Sequence, residues 1–183
     1  MTKNIRSEKM KKFLSLFILL AMTISLSSCY YIRLKTVDTD EYNQYIVKVR
    51  YAEDYMPSIE QCGNYSSILA TYKKTVALFE IYTVGLFLSY NEEEYYKQKK
   101  SILANCDFFN AEDEELASDH DAVIDGYNIQ LVKQEYPLQT YKMGLLIGMD
   151  DSNKKICYLF YYDFDLDELD NLDSYVETYF NMP

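Results

Sequence analysis

Apolar residues change their spacing several times along the chain, and each change marks a predicted element. The first stretch is continuous: residues 13–26 carry no charge and follow Lys3, Arg6, Lys9, Lys11 and Lys12. A fourteen-residue helix reaches roughly 21 Å, short of a hydrocarbon core of about 30 Å, so a basic start and a short apolar run fit a signal peptide better than a membrane span. Residues 29–37 are expected to be a tether. Helical spacing then begins at Asp38, with Glu41 three residues on in a capping-box-like arrangement and Tyr42, Tyr45, Ile46 and Val49 on one face. Pro57 and Gly63-Asn64 interrupt it.

From 67 to 90 the chain is rich in β-branched and aromatic residues, and polar breaks near Lys73-Lys74 and Tyr82-Thr83 predict three antiparallel strands. Asn91 and Glu94 then open a second helix, with Glu92 and Glu93 in its first turn and Lys97, Lys99 and Lys100 further on, an order that suits the helix dipole. The acidic stretch 110–125 lacks periodicity and is expected to be a loop. Strands follow over 127–135, 141–149 and 155–162, with Asp150-Asp151-Ser152-Asn153 as a hairpin turn. A last helix is predicted from near Asp165, with Glu168 three residues on and Leu166, Leu169, Leu172, Val176 and Tyr179 as its apolar stripe.

Segments 86–95 and 159–168 echo one another, each an apolar strand passing through tyrosine into an acid-capped helix. The pattern as a whole predicts one α+β domain over 38–183: an antiparallel sheet with helices packed on it, after an N-terminal helix, with two βββα halves as the arrangement the echo suggests.

The residues closing the first apolar run change the picture of where this domain works. Leu26-Ser27-Ser28-Cys29 resembles the lipobox of bacterial lipoproteins, in which Leu, two small residues and Cys end the signal. The resemblance implies that residues 1–28 are a lipoprotein signal peptide, that cleavage falls between Ser28 and Cys29, and that the Cys29 thiol carries diacylglycerol. The mature protein would then be held at a cell membrane, exposed outside the cytoplasm. Two acyl chains suffice for stable anchoring, at about 0.8 kcal/mol per buried methylene. The mature domain itself resembles no family.

Charge narrows the partners. From Cys29 onward the chain holds 13 basic and 28 acidic residues, a net charge of −15, which repels nucleic acid and anionic surfaces. Three cysteines remain after Cys29. Cys62 and Cys106 fall at predicted element ends and are the pair favoured for a disulfide, while Cys157 lies inside an apolar strand; three buried small hydrophobes is the plainer reading. Without CxxC spacing and with His120 as the sole histidine, a zinc site of the Cys/His kind is not indicated.

Four constellations carry chemistry. Asp163, Asp165 and Asp167 alternate as at the start of a calcium loop, but the positions where an EF-hand needs Gly and a bidentate Glu hold Glu168 and Ser174, so solvated acids with a helix cap explain them as well. His120 sits between Asp119 and Asp121, near the acidic run 112–115, where a flexible acidic loop needs no ligand. No Gly-x-Ser-x-Gly elbow exists, and a Cys–His pair from Cys106 or Cys157 with His120 has no local motif behind it. All 20 tyrosines lie at or after residue 30, and tyrosine favours recognition surfaces where several share an exposed face. These readings point to a binding or interaction module with no cofactor and no catalytic residue, its partners a membrane through Cys29 and a protein, its ligand unspecified. An envelope hydrolase using paired carboxylates or a divalent cation, and a purely structural accessory lipoprotein, are the alternatives.

Intact-mass analysis of the membrane-extracted protein tests the address. The wild-type chain is expected to lack residues 1–28 and to carry a diacylglyceryl adduct, whereas Cys29→Ser is expected to lack the adduct and be released from membranes, its mass distinguishing release from retention by an uncleaved signal. An unmodified soluble wild-type species overturns the anchor.

Overall fold

In a computed structural model that describes residues 30–76, 80–109, 121–133, 142–163, 166, 171–180 and 182, seven strands form one sheet. They are β1 (Tyr30–Thr36), β2 (Ser67–Val76), β3 (Glu80–Ser89), β4 (Asp121–Ile124), β5 (Tyr127–Leu131), β6 (Met143–Asp150) and β7 (Lys155–Asp163). Their order is β1-β2-β3-β7-β6-β5-β4. The helices are α1 (Thr39–Lys48), α2 (Ala52–Tyr55), α3 (Glu92–Asn105) and α4 (Leu172–Phe180), and a 3-10 turn spans Ile59–Cys62. The pairs from β2 through to β4 are antiparallel, so the domain is α+β. Among the described residues no helix is long and apolar enough to cross a membrane.

Period-two alternation gives this sheet two cores. Side chains at even positions of β3 and β7 (Val84, Leu86, Leu88; Ile156, Tyr158, Phe160) join Ala70, Tyr72, Leu145 and Ile147 on one face, which α1, its C-cap Val49 and α3 cover with Tyr42, Tyr45, Val49, Tyr95 and Ile102. Odd positions (Phe87; Cys157, Leu159, Tyr161) join Ile129, Leu131 and Leu146 on the other, covered by Leu172, Tyr175, Val176 and Phe180 of α4. Strands buried on both faces read as the near-continuous apolar runs of β6 and β7. Gly148 makes this packing possible on the second face: a Cβ there would lie 2.5 Å from Cys157 Sγ and 2.9 Å from Ile129 Cγ1.

Nine tyrosines are buried among the described residues, and a buried phenol is stabilised where its hydroxyl finds a partner. Tyr42 donates to Pro57 O at 2.7 Å and Tyr90 to Cys62 O at 2.9 Å. Together they tie the loop around the 3-10 turn to the first core.

Several expectations change. Residues 30–36, expected within the tether, form edge strand β1, whose Ile32 packs against the first core. The stretch 67–90 gives two long strands instead of three, because Lys73 and Lys74 do not break β2. Lys74 Nζ lies 3.0 Å from Glu80 Oε1 and 4.7 Å from the Tyr82 ring centroid, and Lys73 Nζ lies 4.7 Å from that of Tyr179. Long aliphatic stems covering apolar surface with their heads over tyrosine rings make lysine a strand residue here.

The acidic stretch ends in strand β4, where Ala122 and Ile124 are buried and Asp121 and Val123 are not. The last helix begins at Leu172, with Asn171 Oδ1 accepting the Ser174 N–H at 2.8 Å; the predicted start at Asp165 and the stripe residue Leu169 lie outside the described residues. The order β2-β3-α3 followed by β4-β5-β6-β7-α4 does not divide into two βββα halves.

Phe160, fully buried and stacked on Tyr55 with centroids 5.7 Å apart, sits at the centre of the first core. Phe160→Ala is expected to lower the unfolding free energy by about 3–5 kcal/mol. Val123→Ala, on a residue 76% exposed, is expected to change it by less than about 0.5 kcal/mol. Denaturant midpoints at unchanged slope measure both, and equal effects would contradict the burial pattern.

Candidate interaction surfaces

Two tyrosine–cation clusters stand at opposite ends of the sheet. The first is built on the β6–β7 turn. Asp150 ends β6 almost fully buried, and its Oδ1 accepts the N–H groups of Ser152 and Asn153, both at 2.9 Å, while Oδ2 accepts from Asn153 Nδ2 at 2.7 Å. Burial alone would raise this carboxyl, but the three donors and Lys155 outweigh it and hold it below the usual carboxylate range. The turn closes through Lys154 at φ 56°.

The fixed turn carries Asp151 toward α3. Asp151 Oδ1 accepts Tyr95 Oη at 2.7 Å and Lys99 Nζ at 2.6 Å, and the Lys99 contact, then Tyr95, depress its pKa. Burial, then Asp151, raise that of Tyr95. Lys154 Nζ lies 5.0 Å from the Tyr96 centroid and 5.6 Å from that of Tyr95, and the two rings meet edge-on at 5.4 Å. Tyr95 is fully buried and Tyr96 is 50% exposed, so one ring anchors the cluster and the other presents it.

The start of α3 is braced from the far side. Asn91 Oδ1 accepts the Glu94 N–H at 2.9 Å, as its capping role predicts. The Glu94 side chain, however, turns to Gln98 Nε2 at 2.7 Å and to Lys97, with a further bond from the Asn64 backbone. These bonds, Gln98 first, hold its carboxyl below the ordinary value. Gly63, at φ +68°, lies so close that a Cβ would come within 2.2 Å of Gln98 Nε2, which gives the Gly63-Asn64 break a packing role as well as a turn role.

The second cluster stands at the β1 start of the sheet. Lys74, Tyr82, Tyr162 and Met143 lie directly opposite one another across β2, β3, β7 and β6. The Tyr162 centroid is 6.5 Å from that of Tyr82 and 6.4 Å from that of Tyr51. Tyr51 occupies a left-handed conformation at φ 67° between α1 and α2, with the Arg50 guanidinium 4.8 Å from its centroid. On the opposite face Lys73 donates to Thr178 O and lies 5.4 Å from the Tyr31 centroid. Its pKa is lowered by burial, then by Arg33.

The residues singled out from sequence distribute unevenly. Ser28, Cys29, His120, Asp165 and Asp167 lie outside the described residues. Asp163 is buried at the end of β7, with Tyr175 Oη 3.4 Å from its Oδ2, and among the described residues no three Cys, His, Asp or Glu side chains group as metal ligands. Cys62, Cys106 and Cys157 are free thiols. Cys62 donates to Ser58 O at 3.3 Å; burial pushes its thiol up to about 12 and raises those of Cys106 and Cys157 as well, the opposite direction from the lowered pKa of a reactive cysteine. Lys154, Asp151, Lys99 and Tyr51 were not singled out by sequence reasoning, because their partners lie across the fold; the Asp150–Asn153 turn was the one local signal for the first cluster.

Asp150→Ala is expected to destabilise the domain by about 1–3 kcal/mol at neutral pH. Because the folded pKa of Asp150 is depressed, its contribution is present above the unfolded carboxylate value and is lost as pH falls through the folded value. The gap between wild type and variant should therefore close on acidification, and a gap constant through the acid range would contradict this role. Thermal melts against pH measure it. The chain matches no protein family, and neither curated proteins nor solved structures match it.

Proposed function

We propose that the chain is a lipid-anchored binding module of the bacterial cell envelope, held outside the cytoplasm through Cys29, that recognises a protein partner with the Tyr96–Lys154 surface. The cluster around Asp151 carries this reading. A half-exposed tyrosine backed by a buried one, and a lysine fixed over both rings, offer contact area whose ordering is complete before any partner arrives. Leu103, 53% exposed further along α3, extends the apolar part of the surface.

Glu60, Glu80, Glu94, Asp150 and Asp151 are each held below the ordinary carboxylate range, as suits capping and ion pairing, whereas a general acid working near neutrality needs a raised value. The lipobox-like residues supply the address, and the net charge of −15 from Cys29 onward argues against nucleic acid as the partner.

A photo-crosslinking residue placed at position 96 in the native host, with position 123 as the comparison site, tests the surface. A discrete adduct is expected from position 96, weakened several-fold by Lys154→Glu, and none from position 123. Equal adducts from both sites, or adducts from neither, would remove the basis for this reading.

A further inference from the structure

The tether expected between anchor and domain is absent: β1 begins at Tyr30, the residue after Cys29. We infer that the domain has no leash and is seated directly on the bilayer surface by the end of the sheet where β1 starts, with Tyr31, Tyr51, Lys73 and Lys74 at headgroup level. The inference rests on the lipid-anchor reading of Cys29 and adds to it an orientation.

Chain geometry supplies the constraint. Consecutive Cα atoms are about 3.8 Å apart, so two steps from a lipid-bearing Cys29 place the Tyr31 Cα within roughly 8 Å of it. A strand already committed to a seven-stranded sheet has no slack with which to lift the domain clear. Whatever surrounds Tyr31 must therefore meet the interface.

The surroundings have the chemistry of that layer. Tyr31 is 50% exposed and Tyr51 40% exposed, and tyrosine is favoured at membrane–water boundaries, where one end of the ring is apolar and the other wet. Lys73 lies against Tyr31 on one face of the sheet. On the other, Lys74 lies against Tyr82, and Arg50 against Tyr51. These are long stems beside rings with polar tips, the arrangement that snorkels. Glu80 is paired with Lys74, and Asp163, at the end of β7 beside Tyr162, is buried. Asp165, Asp167, Glu168 and Asp170 follow β7 in the sequence, so the seat is assigned on connectivity and tyrosine exposure and not on net charge; phosphatidylcholine vesicles should suffice.

The opposite end of the sheet supplies an internal control. Tyr96 is 50% exposed, matching Tyr31. Six residues of β2 separate the level of Lys73 from that of Ser67, roughly 20 Å at about 3.3 Å per residue, and Ser67 pairs with Ser89 immediately before the turn into α3. That distance carries Tyr96 clear of the headgroups.

The experiment is hydroxyl-radical footprinting of the full lipidated chain in phosphatidylcholine vesicles, with tyrosine oxidation read peptide by peptide and the lipid adduct checked by intact mass. Tyr31 and Tyr51 are expected to oxidise at least about fivefold more slowly than Tyr96. A flexible Gly-Ser segment inserted between Cys29 and Tyr30 should keep the adduct and bring the three rates together. Equal rates in the wild-type chain with the adduct present overturn the seating alone, as does protection that survives the insertion. Absence of the adduct overturns the anchor reading, and the seating with it.

Discussion

The antiparallel pairing of β3 with β7 is the constraint on which the rest of the structure depends. It joins the three strands β1-β2-β3 to the four-stranded meander β7-β6-β5-β4. Because β3 leads through Tyr90 and Asn91 into α3 while β7 leads toward α4, the same pair fixes where both major helices start. Its register, with Leu86 opposite Tyr158 and Phe87 opposite Cys157, decides which side chains meet α1 and α3 and which meet α4. A slip of β7 by one residue against β3 would turn Tyr158 and Phe160 toward α4 and Cys157 and Leu159 toward α1 and α3, taking β7 out of both cores as they stand.

That register also explains why the chain favours tyrosine. The first core is capped by short segments, α1, α2 and the 3-10 turn, whose backbone groups need partners within reach. Tyr42 and Tyr90 bury their rings in the sheet-side core and place hydroxyls on Pro57 O and Cys62 O. Phenylalanine at either position would pack as well and leave a carbonyl unsatisfied. The two clusters at the sheet ends repeat this economy of apolar ring and polar tip, with Tyr95 on Asp151 and Tyr82 on Glu80.

Local rules made much of this legible from sequence. The caps at Asp38 and Asn91, the α1 stripe and the Asp150–Asn153 turn depend on neighbours within a few residues, and the structure bears out each: Asp38 Oδ1 accepts the Asp40 N–H at 2.8 Å, for example. Errors arose where a distant partner decides the outcome. Lys73 and Lys74 suggested a break because two lysines in an apolar run look like a turn, and only the rings of Tyr179 and Tyr82, brought up by α4 and β3, make them strand residues. Residues 30–36 suggested a tether because an edge strand needs an apolar face on only one side, which Ile32 and Leu34 supply too briefly to be recognised. Asp151 and Lys99 were assigned to a turn and a helix separately, and their meeting, like that of Lys154 with Tyr96, was not legible for the same reason, since these contacts span more than fifty residues.

The edge strand shows how one correction changes a functional argument. An exposed edge is a liability, and short length and outward charges are among the ways it is protected. β1 is seven residues long and exposes Arg33 and Lys35, which discourages pairing with another chain. On the reading proposed above, a lipid immediately before Tyr30 adds a second protection, because a neighbour adding to this edge would have to do so at the bilayer surface. Read as a tether, residues 30–36 leave the domain free to reorient and make no claim on which surface faces outward. As a strand in the sheet, and with the proposed lipid on Cys29, they would divide the molecule into an end held at the membrane and an end, carrying Tyr96 and Lys154, left to meet something else.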